Sequence, residues 1–344
     1  MIKHMMIKIS DIQNAHERIK PYINETPIFS SDLLNQWLGH EIYFKVECLQ
    51  KIGAFKARGG CNAVQVLQEQ HNEIKRVVAN SSGNHAQAVA WAAKQFGVPA
   101  TIYMPAFASK VKAQATRSYG AEVVLLDSRQ EVDAAVEEAA NEEGVFCISP
   151  FNDYTVIAGQ GTAAYEALQQ VKEPVDAIFT PCGGGGLISG TLIAARYLQP
   201  EAKVFAAEPL AADDAMRSYL SGKIQVLDDA PKTLADGAMT LSIGAKTFEH
   251  IQHIDGFFAV EEEPMAYWTQ WLQHLLKIHV EPTCAMTMDA VCQWLRQSNK
   301  QKPQCIMVIL SGGNIDAGMM QKLWAHDYLN TQPNLNLFAI SQSA

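Results

Sequence analysis

The sequence predicts an α/β protein of two lobes, each built on an open, parallel-type sheet flanked by helices. Three observations predict it. From Glu41 onward, short β-rich runs alternate with helical patterns, the signature of strand–helix–strand crossovers. Several of those runs are almost continuously apolar, as strands covered on both faces must be. The chain has 344 residues, 48% hydrophobic and 18% charged, which is more than one simple core requires and leaves no disordered majority.

In chain order, strands are expected at 42–48, 76–80, 101–104, 122–126, 145–149, 176–182, 204–208, 256–260 and 305–310. Helices are expected between them at 86–96, 110–119, 132–143, 159–171, 187–198, 267–278 and 288–296, and Gly97, Gly120 and Gly144 stop three of them. No repeat or Pro-rich linker marks a boundary, so the division is expected to be discontinuous: a large lobe from 1–75 and 152–344, and a small mobile lobe from 76–151. The residues from about Asn330 read as a polar tail.

The formal net charge of −9 argues against a nucleic-acid partner, whose phosphates call for a basic surface. The first ten residues are interrupted by Lys3, His4 and Lys8 and lack a cleavage signal, and no apolar run has membrane-spanning length. A cytoplasmic protein without a membrane partner is expected. The seven cysteines, Cys48, Cys61, Cys147, Cys182, Cys284, Cys292 and Cys305, are scattered among apolar neighbours and read as buried thiols rather than a disulfide framework.

Five segments carry candidate chemistry. Lys56, in the run from Lys51 to Gly60, opens a helix beside Phe55. The helix dipole and desolvation both favour its neutral, nucleophilic amine. Ser81-Ser82-Gly83-Asn84-His85 follows a strand and opens a helix, where hydroxyls and free amides suit a carboxylate; an ordinary serine cap and a packed histidine are the plain alternatives. Gly183-Gly184-Gly185-Gly186 join a strand to a helix, a geometry for wrapping amides around a phosphate. The run has neither the Lys-Ser/Thr of a nucleotide P-loop nor dinucleotide spacing. Ser311, in Ser311-Gly312-Gly313-Asn314, stands at the carboxyl end of a strand, where its hydroxyl suits a ring nitrogen or merely a turn. Glu208 and Asp214 flank a loop whose carbonyls suit a hard cation, although surface acids are more often just solvated.

Taken in order, these segments resemble the serine racemase and threonine dehydratase family of pyridoxal-phosphate enzymes, with the tryptophan-synthase β-like fold. The resemblance spans about residues 10 to 325 and extends through the runs 158–162, 235–237 and 281–283. It implies that Lys56 carries pyridoxal 5′-phosphate covalently, that Phe55 lies against its ring, and that Asn84 bonds the ring hydroxyl. It also implies that Gly183, Gly184, Gly185 and Gly186 cradle the phosphate and that Ser311 faces the ring nitrogen. Ser81, Ser82, Gly83, Asn84 and His85 would receive the substrate, and Ser82 stands where racemases carry a second base facing Lys56. Glu208, the carbonyl of Ala212 and Asp214 match the family's divalent-cation site, for Mg, Mn or Ca.

The implied activity is a dehydratase, or ammonia-lyase, acting on L-serine, L-threonine or threo-3-hydroxyaspartate, with serine racemisation as a second activity. A true serine racemase is the nearest alternative, and a catalytically silent amino-acid or cofactor sensor is an alternative of another class, which the intact Lys56 opposes. A homodimer follows from the resemblance alone. Ile52 departs from a common threonine and Ala54 from a frequent serine. No C-terminal regulatory domain, and hence no isoleucine feedback, is expected.

Overall fold

The computed structural model describes residues 7–108, 110–298 and 302–339. The expected opening segment falls partly outside them, at residues 1–6. Among the described residues, ten strands form two sheets. The larger has the order β1(Ile28–Ser30), β2(Glu41–Val46), β10(Cys305–Leu310), β7(Ala177–Pro181), β8(Lys203–Pro209), β9(Gly256–Val260). Its strands are parallel except for β1, which pairs antiparallel with β2 at the edge. The smaller has the order β5(Glu122–Leu126), β4(Ala100–Pro105), β3(Arg76–Asn80), β6(Val145–Cys147), all parallel.

Alternation along the strands explains why helices cover both faces of the larger sheet. In β10, Ile306, Val308 and Leu310 pack into one core with Phe44 of β2, Phe179 of β7 and the helices α11(Glu262–Leu276), α12(Pro282–Ala285) and α13(Thr287–Ser298). Met307 and Ile309 face the other way, toward α7(Tyr154–Gln170) and α8(Gly186–Leu198). The small sheet has its own core, in which Val77, Ala79, Ile102 and Met104 meet α4(Asn84–Gln95) and Val64 of α3(Lys56–Gln70). Each fully buried Ile, Phe or Leu side chain in such a core contributes about 1.5–3 kcal/mol.

Every expected strand is present; β1, only 3 residues long, is additional. Expected helices are present with shifted starts: α7 begins at Tyr154, where Asp153 accepts hydrogen bonds from the amides of Thr155 and Val156. Gly97, Gly120 and Gly144 do follow helices, at φ of 68°, 100° and 81°, the left-handed region open to glycine. Helix α1(Ile9–Ile19) buries Ile12, Ala15 and Ile19. The reading of a polar tail is corrected: the carbonyl of Thr331 accepts hydrogen bonds from Tyr267 and Trp271, and Leu335, Leu337 and Phe338 pack on the main core. The spacing of its apolar residues was masked by Asn, Gln and Pro between them. No helix among the described residues is long and apolar enough to cross a membrane. All seven cysteines are free thiols; Cys61, Cys182, Cys284 and Cys292 are buried, whereas Cys147 is exposed against expectation.

Candidate active site

Lys56 is the first residue of α3, and its approach is tightly scripted by the backbone. Ile52 and Gly53 both have positive φ, 58° and 73°, which turns the chain sharply before the helix. The segment then pairs with the carboxyl end of β10: Phe55 N–H donates to the Ser311 carbonyl at 2.9 Å and Gly313 N–H to the Gly53 carbonyl at 3.0 Å. Ser311 and Lys56 are thereby brought together from opposite ends of the chain. The Lys56 amine lies 5.2 Å from the Phe55 ring centroid and donates to the Pro150 carbonyl at 2.7 Å. Desolvation in the cleft pulls that amine down to about 8, against the opposing charge of Glu281.

Pro150 leads directly to the glycine loop. The next residue, Phe151, packs so closely on Gly184 that a Cβ there would lie 2.0 Å from its ring. A Cβ on Gly185, whose φ is +89°, would meet Ile251 at 2.6 Å, and one on Gly183 would meet the backbone of Ala238 at 3.1 Å. The N-cap of α8 is Gly185, which makes no side-chain cap, so the amides of the first turn are not claimed by a cap. Thr247 donates to the Gly184 carbonyl at 2.8 Å and steadies the loop. Side chains are excluded and amides are free, which is the character of a phosphate cradle.

The 81–85 segment opens α4 in the same way, with Gly83 as an N-cap lacking a side-chain bond. Ser81 Oγ accepts from Gly83 N–H at 3.2 Å, which tightens the turn around Ser82. Asn84 is held on both sides: its amide N–H groups donate to Glu281 Oε1 and Oε2 at 3.2 Å, and its carbonyl accepts from Asn314 at 2.8 Å. His85 is turned inward, 3% exposed with Nε2 at 2.8 Å from the Ile148 carbonyl. Desolvation first, and the charge of Lys56 second, pull it to about 3, so its ring is neutral and packed; its backbone remains at the helix start.

Glu208, at the end of β8, and Asp214, opening α9(Asp214–Ser221), are both fully buried. Glu208 accepts from the amides of Ala215 and Met216 at 3.1 and 2.9 Å. Both Asp214 carboxylate oxygens are buried with no hydrogen-bond partner. Desolvation, then Asp214, pushes Glu208 well above the usual range, and desolvation raises Asp214 to about 7. Two buried carboxylates, one of them unpartnered, fit a hard cation. No group of three or more His, Cys, Asp or Glu side chains arranged for a metal occurs among the described residues, so such a site requires backbone oxygen, as from Ala212 in the turn Leu210–Ala212.

Glu281, Asp236 and Asn314 lie in runs that stand out in the sequence, but the sequence assigns those three residues no part. The structure gathers them. Glu281, raised to about 7 by desolvation first and Asp236 second, bonds Asn84, while Asp236 pairs with Lys112 of α5(Lys110–Ser118). Their recurrence beside the other motifs was a signal of position, but their pairing depends on tertiary packing.

A family model described as pyridoxal-phosphate dependent enzyme matches residues 19–312. The chain is 42% identical to the serine racemase of Dictyostelium discoideum, over 92% of this chain and 98% of that protein. The crystal structure of that racemase superposes with a TM-score of 0.83 at 41% identity, covering 90% of this chain and 99% of that one. It is also 42% identical to the L-threo-3-hydroxyaspartate ammonia-lyase of Saccharomyces cerevisiae, over 89% of this chain and 93% of that one. The processed form of threonine deaminase isoform 2 from Solanum lycopersicum is similar in fold, with a TM-score of 0.85 at 30% identity over 92% of this chain and 91% of its own.

Proposed function

The chain belongs to the family of pyridoxal-phosphate-dependent enzymes, and on that premise we propose that it is a dehydratase of small hydroxy amino acids. It would convert L-serine, L-threonine or threo-3-hydroxyaspartate to the 2-oxo acid and ammonia. One observation carries the reading: the Lys56 amine, drawn down to about 8, is linked through the Pro150 carbonyl and the Phe151 ring to a glycine loop with no room for side chains. Pyridoxal 5′-phosphate, when bound, supplies an electron sink for the pair left at the substrate Cα.

The residues divide the remaining work. Lys56 would hold the cofactor aldehyde, and its free Nζ would take the Cα proton of the substrate. The amides of Gly183 to Gly186 would hold the phosphate, and Phe55 and the Ser311 hydroxyl would hold the ring and its nitrogen. A neutral hydroxyl there would offer that nitrogen a hydrogen bond without supplying a proton to it. Asn84, its amide oriented by Glu281 and Asn314, would bond the ring hydroxyl. Ser81, Ser82 and the amides of Gly83 to His85 receive the substrate carboxylate. Glu208, the Ala212 carbonyl and Asp214 would hold a divalent cation; the unpartnered oxygens of Asp214 support this assignment.

A second reading, serine racemase, rests on Ser82 and on the 42% identity to the Dictyostelium racemase. The test follows 2-oxo acid release and chiral amino-acid composition together, with L- and D-serine, L-threonine and both threo-3-hydroxyaspartates. Oxo acid without inversion is the expected result, and the fastest substrate names the enzyme. D-serine arising from L-serine at a comparable rate would replace the dehydratase reading with the racemase.

A further inference from the structure

Two residues beyond Lys56, on the first turn of the same helix, lies a charge that the chemistry above does not use. Arg58 is fully buried. Its Nε and Nη2 donate to Glu47 Oε2 and Oε1 at 2.7 and 2.8 Å, and its Nη1 and Nη2 donate to Glu166 Oε2 and Oε1 at 3.2 and 2.9 Å. Thr162 Oγ1 at 3.3 Å and Thr26 Oγ1 at 3.5 Å complete the set. One guanidinium is thus gripped bidentately by two carboxylates from two elements: Glu47 follows β2, and Glu166 stands on α7. A second buried cation, Lys45, pairs with Glu166 and donates to the Thr26 carbonyl at 2.7 Å and Gln170 at 2.9 Å. Two cations and two carboxylates balance.

Such a cluster is a poor source of net stability, because desolvating four charges costs about as much as their attraction returns. What it fixes is direction, since the guanidinium fork accepts a carboxylate in few orientations. Helix α3 needs that direction from somewhere. Its N-cap, Phe55, makes no side-chain cap, and the turn before it runs through Ile52 at φ 58°, a conformation strained for a β-branched residue. Residues 56 and 58 are about 200° apart around a helix, so a clamp on Arg58 from the protein side sets where Lys56 points on the cleft side. The packing behind the turn leaves little slack: a Cβ on Gly159 of α7 would lie 2.7 Å from the Arg58 carbonyl.

We propose that Arg58 is a positioning residue for Lys56, the Glu47–Arg58–Glu166 clamp setting the rotation of the helix turn that presents the amine to the cofactor aldehyde. The inference rests on Lys56 being the cofactor lysine. Arg58→Lys keeps the charge and removes the fork; Glu47→Gln keeps the volume and weakens one fork, and serves should the first variant fail to fold. Each full-length protein, freed of cofactor, is titrated with pyridoxal 5′-phosphate and with pyridoxamine 5′-phosphate. The second probe has the same phosphate and ring but no aldehyde, so it forms no covalent bond to Lys56.

In Arg58→Lys the apparent Kd for pyridoxal phosphate is expected to rise tenfold or more, of the order that a displaced reacting group costs. Pyridoxamine phosphate affinity is expected to be unchanged, and Glu47→Gln to show the same split at smaller size. A parallel loss for both probes would make Arg58 a support of the fold alone, and no loss for either would remove it from the site; both results overturn the proposal. Borohydride reduction and peptide mapping of the wild type test the premise separately. A label on Lys56 is expected, and a label elsewhere overturns the reading of Lys56 and the positioning role with it.

Discussion

Lys56 and Glu281 share a desolvated cleft in which one proton more or less changes what the amine can do. Burial draws the Lys56 amine down to about 8, while Glu281 favours its charged form. Replacing Glu281 with Gln removes that opposing charge, so the amine's midpoint falls further and its neutral, aldehyde-attacking form persists to lower pH. Capture of pyridoxal phosphate by cofactor-free protein, followed by visible absorbance, is expected to accelerate through about pH 8 in the wild type and at lower pH in Glu281→Gln. A rise at unchanged or higher pH would disconnect the two residues. The buried pair Glu208 and Asp214 allows a second test at this scale. A divalent cation at about 100 times its Kd stabilises a folded protein by about 2.7 kcal/mol, so magnesium, manganese or calcium is expected to raise the thermal midpoint by several degrees. Asp214→Asn, which replaces the unpartnered carboxylate, is expected to abolish that rise. An equal rise in the variant would place the cation elsewhere.

Among the elements, the glycines that bring helices and loops together predict two different losses. A Cβ on Gly184 would lie 2.0 Å from the Phe151 ring, a clash that a loop relieves by shifting more readily than a packed helix does; Gly184→Ala is therefore expected to fold but to lose at least tenfold in cofactor affinity, a loss of about 1.4 kcal/mol or more. Gly190 lies inside α8, where a Cβ would come within 2.5 Å of the Gly161 backbone of α7. Helices separate less readily, so Gly190→Ala is expected to cost about 1–3 kcal/mol in denaturant unfolding. Reversed losses would contradict the division between cradle and scaffold. The same elements show what could be read in advance. The parallel strands were legible because burial on both faces leaves an apolar run, as in Cys305–Leu310. The edge strand Ile28–Ser30, half-exposed and three residues long, has no such run. The glycine loop and Lys56 stand out by composition, whereas Arg58 and Glu281 do not: Arg58 resembles a solvated helix residue until Glu166, 108 positions away, packs against it. Glu281 acquires its place from Asn84, 197 positions earlier.

Over the whole molecule, α3 touches both sheet units and carries Lys56 between them. Gly59 faces α7, with its amide bonded to Gln160 at 3.2 Å, and Gly60 faces α4, where a Cβ would lie 3.1 Å from the Ala88 carbonyl. If residues 76–151 move as a unit, a helix packed so closely on both sides would serve as their pivot. Between the two sheet units, Lys112 pairs with Asp236, both partly buried. If closure brings Ser81 to Asn84 onto the substrate, that ion pair belongs to the closed form, and breaking it weakens closure without touching the cofactor. Lys112→Gln is accordingly expected to bind pyridoxal phosphate as the wild type does, yet to show a several-fold higher KM for the hydroxy amino acid. Hydrogen exchange provides the structural half of the test, with L-alanine as a ligand that has no β-hydroxyl to lose. In the wild type, alanine is expected to slow exchange in the 81–85 segment and in α5 together. In Lys112→Gln that joint protection is expected to fade, because the two units no longer share the bond that holds them shut. Undiminished protection in both segments would show that closure does not depend on this pair.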